Sequence, residues 1–438
     1  MSAAPPHGLH GVTHVMVGYS AHLMAEVDRL LPAASVLIVE EPHVIKARDV
    51  HRATAEYPCV AGVLAAATQD EARAHALAGS VPRPPDVRAV VPALEYGVVA
   101  AATLATAWGL PGGGAGAARI LRNKLELRRA AARRGITQPE FAEATGPADV
   151  DALRARFDGI CVLKPANRQA SLGVVLLGPG DDTEAAWRHT VAADEPRLRV
   201  HYADAAQYLV EQRLHGPEVS VEALVHDGVI GFLNVTAKQV LPGRYPVELG
   251  HTVPAPADEP GGAAREALSV AMAELVDAIG FSTGILHAEW VLTSDRPHLI
   301  ECAGRLPGDH IPALIDLAYG GDGLMADLFA LLAGDGPRPA RVARRGAAIR
   351  FLPTPEPDVP EAVVRSVIGI TEAERLDGVR DVVVTLVEGA PVNEVTNSWQ
   401  RGGHVVATGT TPSEAARTAE RAAALVAITV GPRTGGGQ

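Results

Sequence analysis

Leu286-His287-Ala288-Glu289-Trp290-Val291-Leu292 and Pro297-His298-Leu299-Ile300-Glu301-Cys302, joined by Thr293-Ser294-Asp295-Arg296, read as a β-hairpin. Successive side chains of a strand point to opposite faces. Leu286, Ala288, Trp290 and Leu292 therefore share one face, and His287 and Glu289 the other. In the returning strand the same alternation places Glu301 on the face of Leu299. Counted outward from the turn, Glu289 and Glu301 stand nearly opposite each other. Like charges opposed across a ladder destabilise it. A divalent cation would remove the repulsion, and carboxylates together with phosphate oxygens are the donors that Mg2+ prefers. A solvated face with flanking basic residues is the alternative for the pair taken alone.

Upstream, Ile160-Cys161-Val162-Leu163 is a strand running into Lys164-Pro165, and the loop 166–173 holds Ser171 and Gly173. Backbone N–H groups of such a loop can point at phosphate oxygens while a lysine adds a compact charge. The spacing is not that of a P-loop. Residues 118–134 read as one basic helix in which Lys124 shares a face with Ile120, Leu127 and Ala131. Residues 208–214 read as a strand carrying Glu211 and Gln212, and 218–225 and 229–235 as a second hairpin. At the start of the chain, strands at 14–18 and 35–39 flank a helix at 20–31, a parallel α/β pattern without G-x-G-x-x-G. Past Gly334-Asp335-Gly336-Pro337 short strands and helices indicate a smaller α+β unit, ending in a helix near 413–426 and a Gly-rich tail.

Composition bounds the function. At ~150 residues per domain, 438 residues suggest about three domains. With 47% hydrophobic and 21% charged residues the chain is globular rather than disordered. A net charge of -12 opposes binding to nucleic acid or anionic membrane. Six Phe, four Trp and seven Tyr leave little material for stacking bases. The basic stretch 119–134 is the one segment that could suggest a nucleic-acid patch, and the overall charge argues against it. Three widely spaced cysteines form no disulfide framework and suit a reducing, cytoplasmic compartment. Residues 1–10 lack the pattern of a secretory signal, and the apolar run 98–110 reads as a buried helix rather than a membrane span.

The order of parts is more specific than any part. Asn123-Lys124 with Arg128, Val162-Leu163-Lys164-Pro165, the run Val210-Glu211-Gln212-Arg213-Leu214-His215-Gly216-Pro217-Glu218, His287-Ala288-Glu289 and Ile300-Glu301-Cys302-Ala303-Gly304-Arg305 follow one another in that order. In this the chain resembles the ATP-grasp superfamily, specifically carboxylate–amine ligases of the L-amino-acid (dipeptide) ligase type. The resemblance is strongest over 122–332. It implies an α/β and α+β multi-domain chain: a Rossmann-like N-terminal α/β domain at 1–118, an ATP-grasp domain at 119–337 and a C-terminal α+β domain at 338–438. The central domain would divide into a lid at about 145–214 and a core at about 215–337.

What the resemblance implies carries over by position. Lys124 and Lys164 correspond to the nucleotide-phosphate lysines, with Ser171 and Gly173 in the phosphate loop. Glu211, Gln212 and Leu214 correspond to the adenine hinge, and Glu218 to the ribose acceptor. Glu289 and Glu301 would hold Mg2+, two ions for which Mn2+ can substitute, and Arg305 would steady the acyl phosphate. Glu248 and His251, with Gly308 and Asp309, would face the carboxylate and amine substrates. The implied reaction joins a small-molecule acid to an amine, consuming ATP to ADP and phosphate, in a chain that could be a homodimer and that binds neither nucleic acid nor membrane. The alternatives are an ATP-grasp ligase acting on a non-amino-acid metabolite and a catalytically silent nucleotide-binding relative. Two departures accompany the resemblance. Ala303 stands where many members have a metal-binding Asn, and the phosphate loop is poor in glycine.

Overall fold

Short runs of Val, Ile and Leu form the first sheet, and its inner strands and Ala89–Pro92 are buried on both sides. The computed structural model describes residues 9–202, 206–294, 296–355, 359 and 361–433; Asp295 of the expected turn and the tail 434–438 lie outside them. Strands Val60–Ala65, Val36–Glu40, His14–Val17 and Ala89–Pro92 pair in that order, all parallel. Met16 and Ile38 pack into a core with Leu314 and Leu328, whereas Val15, Val17 and Leu37 pack with Leu104 on the other face. The period of two thus fastens this unit to helices on either side. One of them, Val98–Trp108, is the buried helix expected from the apolar run, and it stops at Gly109 in the left-handed region at φ 67°.

A second sheet is antiparallel, in the order Phe141–Ala144, Tyr208–Gln212, Cys161–Pro165, Val175–Leu177. Its first strand lies ahead of the lid boundary expected at 145. The third sheet has eight strands, ordered Pro297–Ala303, Gly284–Leu292, Glu218–His226, Val229–Val240, Glu248–Val253, Gly346–Leu352, Gly403–Gly409, Val379–Val384. Strands from either side of residue 338 join it without a break, so the division expected there separates no two sheets. Ala362–Ile368 and Ala427–Pro432 form a small antiparallel pair beside it. Among the described residues no helix is long and apolar enough to cross a membrane.

Two local readings are corrected. The helix expected over 118–134 is two helices, Ala115–Arg122 and Lys124–Arg133. Asn123 between them is extended, and its Oδ1 accepts from the N–H groups of Leu125 (3.0 Å) and Glu126 (3.4 Å). An Asn before a periodic run is a cap signal that the continuous apolar spacing concealed. The break puts Lys124 at a helix start, where its N–H donates to Ala166 O at 2.8 Å. The basic stretch is also not a free patch: Arg122, Lys124, Arg128, Arg129 and Arg134 are all ion-paired.

The second correction lies in the hairpin. Glu289 pairs with Glu301 and Trp290 with Leu299, so Ile300 is an extra residue, a β-bulge. The bulge shifts the alternation by one, and Glu301 leaves the face of Leu299. Leu299 and Cys302 pack in the core with Trp290, and Glu301 joins Glu289 on the polar face. Strict counting could not anticipate this, because a bulge depends on tertiary partners.

Glu95 ties the first unit to the rest: its carboxylate accepts from Arg122 and Arg305, each at 2.7 Å. Burial opposes its charge, but the two arginines outweigh burial and bring its pKa down to about 2. The folded value lies below the usual 4.5, so its stabilising contribution is complete above about pH 4.5 and is lost as pH falls through about 2. The unfolding free energies of wild type and Glu95→Gln, measured in urea, should therefore converge as pH drops through that window. Asn123→Ala should lower stability by about 1 kcal/mol through the lost cap, and Asn123→Asp should restore most of it.

Candidate active site

The register of the large sheet builds the site. Thr236, Ser220, Glu289 and Glu301 lie in one cross-strand row, and Asn234, Glu222, His287 and Ala303 in the next. Both rows are on the face turned away from Trp290. The opposed carboxylates expected from the hairpin are thus present, and each is held by a lysine. Lys238 Nζ is 2.8 Å from Glu289 and 3.6 Å from Glu248, while Lys124 Nζ is 3.0 Å from Glu301 and donates to Arg168 O at 2.6 Å. Burial works against the charge of Glu289, yet Lys238 and His287 hold its carboxyl well below the usual range. Burial also disfavours the Lys238 ammonium, and Glu289, Glu248 and Glu218 more than compensate, raising its pKa.

Glu211 is 2% exposed and bound from two sides, by Lys164 Nζ at 2.7 Å and Arg128 Nε at 2.6 Å. Arg128, wholly buried, also donates to Leu299 O (2.8 Å) and Ile300 O (2.7 Å). The same guanidinium thus satisfies carbonyls on both sides of the Leu299–Ile300 step at the bulge. The side chain of Glu211 therefore serves this network. Its neighbour Gln212 bonds through its N–H to Glu140 O (2.8 Å), and Leu214 follows half-buried. Glu218 is half-buried, with burial raising its pKa against the pull of Lys238.

Ser171 and Gly173 stand in the left-handed region, at φ 56° and 74°. A Cβ on Gly173 would come within 2.7 Å of Ala193 Cβ, so the turn needs glycine. Ser171 Oγ donates to Pro246 O at 2.9 Å, which draws the loop onto the strand of Glu248 and His251. His251 is buried and lies 3.1 Å from Asp309, which receives Arg401 through both oxygens (2.5 and 2.8 Å). Those partners overcome burial and hold Asp309 far below the usual carboxylate range. Arg401 stacks 3.5 Å above the Phe351 ring, and Ser398 Oγ donates to Glu248 at 2.5 Å. Gly308 closes the turn onto Ile311 N. Arg305 is fixed by Glu95 and by Leu306 O at 2.8 Å.

The structure therefore gathers Lys124, Lys164, Glu211, Glu218, Glu248, Glu289 and Glu301 into one charged cluster, with His251 and Asp309 beside Glu248 and Arg305 behind Glu95. Sequence reasoning passed over Lys238, Arg401, Ser398 and Glu95, and gave Glu222 no role. A lysine two and four residues beyond Thr236 and Asn234, on the polar face of its strand, was the available signal for Lys238; the others become visible only through long-range contacts. Among the described residues no three His, Cys, Asp or Glu side chains converge as a preformed metal cage. Two opposed carboxylates still fit a hard divalent cation that completes its shell with water and phosphate oxygens.

Comparison with known proteins agrees with this geometry. Residues 158–313 match the ATP-grasp domain family, and residues 358–431 match L-amino acid ligase C-terminal domain 2. An uncharacterized protein, y4rH of Sinorhizobium fredii, is 27% identical over 348 residues, 79% of this chain and 69% of that protein. A D-alanine–D-alanine ligase of Stutzerimonas stutzeri is 30% identical over 124 residues, 28% of this chain and 36% of its own. The L-amino acid ligase structure from Bacillus licheniformis superposes with a TM-score of 0.74 at 18% identity, covering 95% of this chain and 98% of that one. N5-carboxyaminoimidazole ribonucleotide synthetase from Thermotoga maritima gives 0.61 at 16% identity, with 96% and 99% covered. The chain thus contains an ATP-grasp domain and a C-terminal domain of the L-amino acid ligase kind, and it shares the fold of the L-amino acid ligase structure.

Proposed function

We propose that the protein activates the carboxylate of an amino acid or related acid as an acyl phosphate and joins it to an amine, releasing ADP and phosphate. The observation that carries this reading is the opposed pair Glu289 and Glu301, with Lys124 bonded to Glu301 and Lys164 nearby on Glu211. A carboxylate is a poor electrophile, and phosphorylation gives it a leaving group. Lys124 and Lys164 would take phosphate oxygens as the charge of the transferring group spreads. Glu289 and Glu301 would hold Mg2+, two ions per site or Mn2+ in their place, which neutralises phosphate charge when bound.

Arg305, steadied by Glu95, would take the oxyanion when the amine attacks the acyl carbon. Glu248, His251, Asp309 and Gly308 form the side toward the acid and amine. The hinge strand with Glu211, Gln212 and Leu214 would face adenine and Glu218 the ribose, and the loop with Ser171 and Gly173 would cover the phosphates and exclude water.

The first test is ADP and phosphate release across pairs of amino acids, with mass spectrometry of the mixtures. Release that requires both an acid and an amine, with a product lighter by one water, establishes the ligase. ATP binding without turnover of any pair would remove the amino-acid reading. Glu301→Ala should abolish release. Arg305→Met should lower kcat by about 10²–10³ with the KM for ATP nearly unchanged, and a matching rise in that KM would contradict the oxyanion role.

A further inference from the structure

His287 has no part in the assignments above, although it lies in the middle of the polar face. In its row Asn234, Glu222, His287 and Ala303 are cross-strand neighbours, one step from the row that ends in Glu289 and Glu301. Glu222 is fully buried, and its carboxylate accepts from Ser220 Oγ, Asn234 Nδ2 and Thr236 Oγ1, each at 2.7 Å. Its remaining partner is His287 Nδ1 at 3.0 Å. A carboxylate that already accepts three hydrogen bonds can only accept a fourth, so the Nδ1 atom carries hydrogen. The ring is thereby fixed with Nε2 directed toward Glu289, 3.5 Å from Oε1.

We infer that His287 is a metal ligand, its Nε2 joining Glu289 and Glu301 around the divalent cation that accompanies the nucleotide. The inference deepens the proposed function and rests on it. Two adjacent ligands at 2.0–2.2 Å from one ion are about 3 Å apart, so the spacing between His287 and Glu289 needs only a small side-chain adjustment. Opposite the ring the partner strand offers only the methyl of Ala303, which supplies no donor. A carboxylate that orients one ring nitrogen while the other meets the metal is a recurrent arrangement in metalloproteins. An imidazole in the shell favours Mn2+ over Mg2+, which prefers oxygen.

The test uses the full chain with Mn2+ and ADP. Electron spin-echo spectroscopy of bound Mn2+ should give a nitrogen coupling that changes when the protein's histidines carry nitrogen-15, which separates it from adenine nitrogen. His287→Asn should remove that coupling and weaken Mn2+ binding about tenfold or more, with the preference of Mn2+ over Mg2+ narrowed. Glu222→Gln keeps the ring and should weaken Mn2+ while retaining the coupling. Bound Mn2+ and ADP with no histidine coupling, in wild type itself, would overturn the inference and leave the ligase reading intact. Failure to bind Mn2+ and ADP at all would overturn both.

Discussion

Glu289 and Glu301 face each other across a hairpin, and their repulsion has to be cancelled from elsewhere in the fold. The cancelling charges come from three elements that have no sequence proximity. Lys124 starts a helix, Lys238 lies in a strand of the large sheet, and Lys164, from the smaller sheet, is paired one residue pair away with Glu211. The Lys124–Glu301 pairing pulls a helix onto the sheet face, whereas Lys238–Glu289 ties strands within the large sheet and Lys164–Glu211 ties strands within the four-stranded antiparallel one. The geometry that the proposed binding of a triphosphate and its cation would need is thus the geometry that lets the acidic face exist without them. Buried ion pairs of this kind contribute little net stability, because desolvation offsets most of the attraction. What they supply is arrangement before the substrate arrives, and charges that need no reorganisation are the ones that lower a barrier.

Arg128 shows how that arrangement is enforced. It is buried completely, and its donors go to Glu211 and to two carbonyls at the bulge. The bulge in turn is what places Glu301 beside Glu289. Removal of this one guanidinium would leave a buried carboxylate short of a partner and the Leu299 and Ile300 carbonyls without theirs. Losses of that kind cost about 1–3 kcal/mol per unsatisfied group. The hairpin of Glu289 and Glu301 and the strand of Glu211 are therefore fixed by the same side chain.

Much of the fold was legible because it follows short-range rules. Strand Ala89–Pro92 and the helices Val98–Trp108 and Pro412–Leu425 follow from apolar runs, spacing and stop signals. The opposition of Glu289 and Glu301 followed from counting outward from a turn. The face of Glu301 did not, because the bulge at Ile300 is stabilised by an arginine some 170 residues away. The break at Asn123 was hidden because two helices in register keep one apolar spacing. Arg401 on Asp309 and Glu95 on Arg305 were out of reach for the same reason as the bulge: side chains distant in sequence carry no local trace of their partner.

The eight-stranded sheet also explains why a C-terminal unit is needed at all. Gly346–Leu352 and Gly403–Gly409 extend the sheet directly from the strand that carries Glu248 and His251. Extension alone would cover a sheet edge. The loop before the second of these strands does more, because Ser398 binds Glu248 and the Ala170 carbonyl of the phosphate loop, while Arg401 binds Asp309 and stacks on Phe351. One short segment therefore touches the phosphate loop, the strand of the expected substrate side and its floor. Without Arg401, Asp309 would be a largely buried carboxylate beside a buried histidine, and its position would be set by His251 alone. The match of residues 358–431 to a domain of L-amino acid ligases has a physical content in these contacts: the segment holds Glu248 and Asp309, the side proposed above to face the acid and amine.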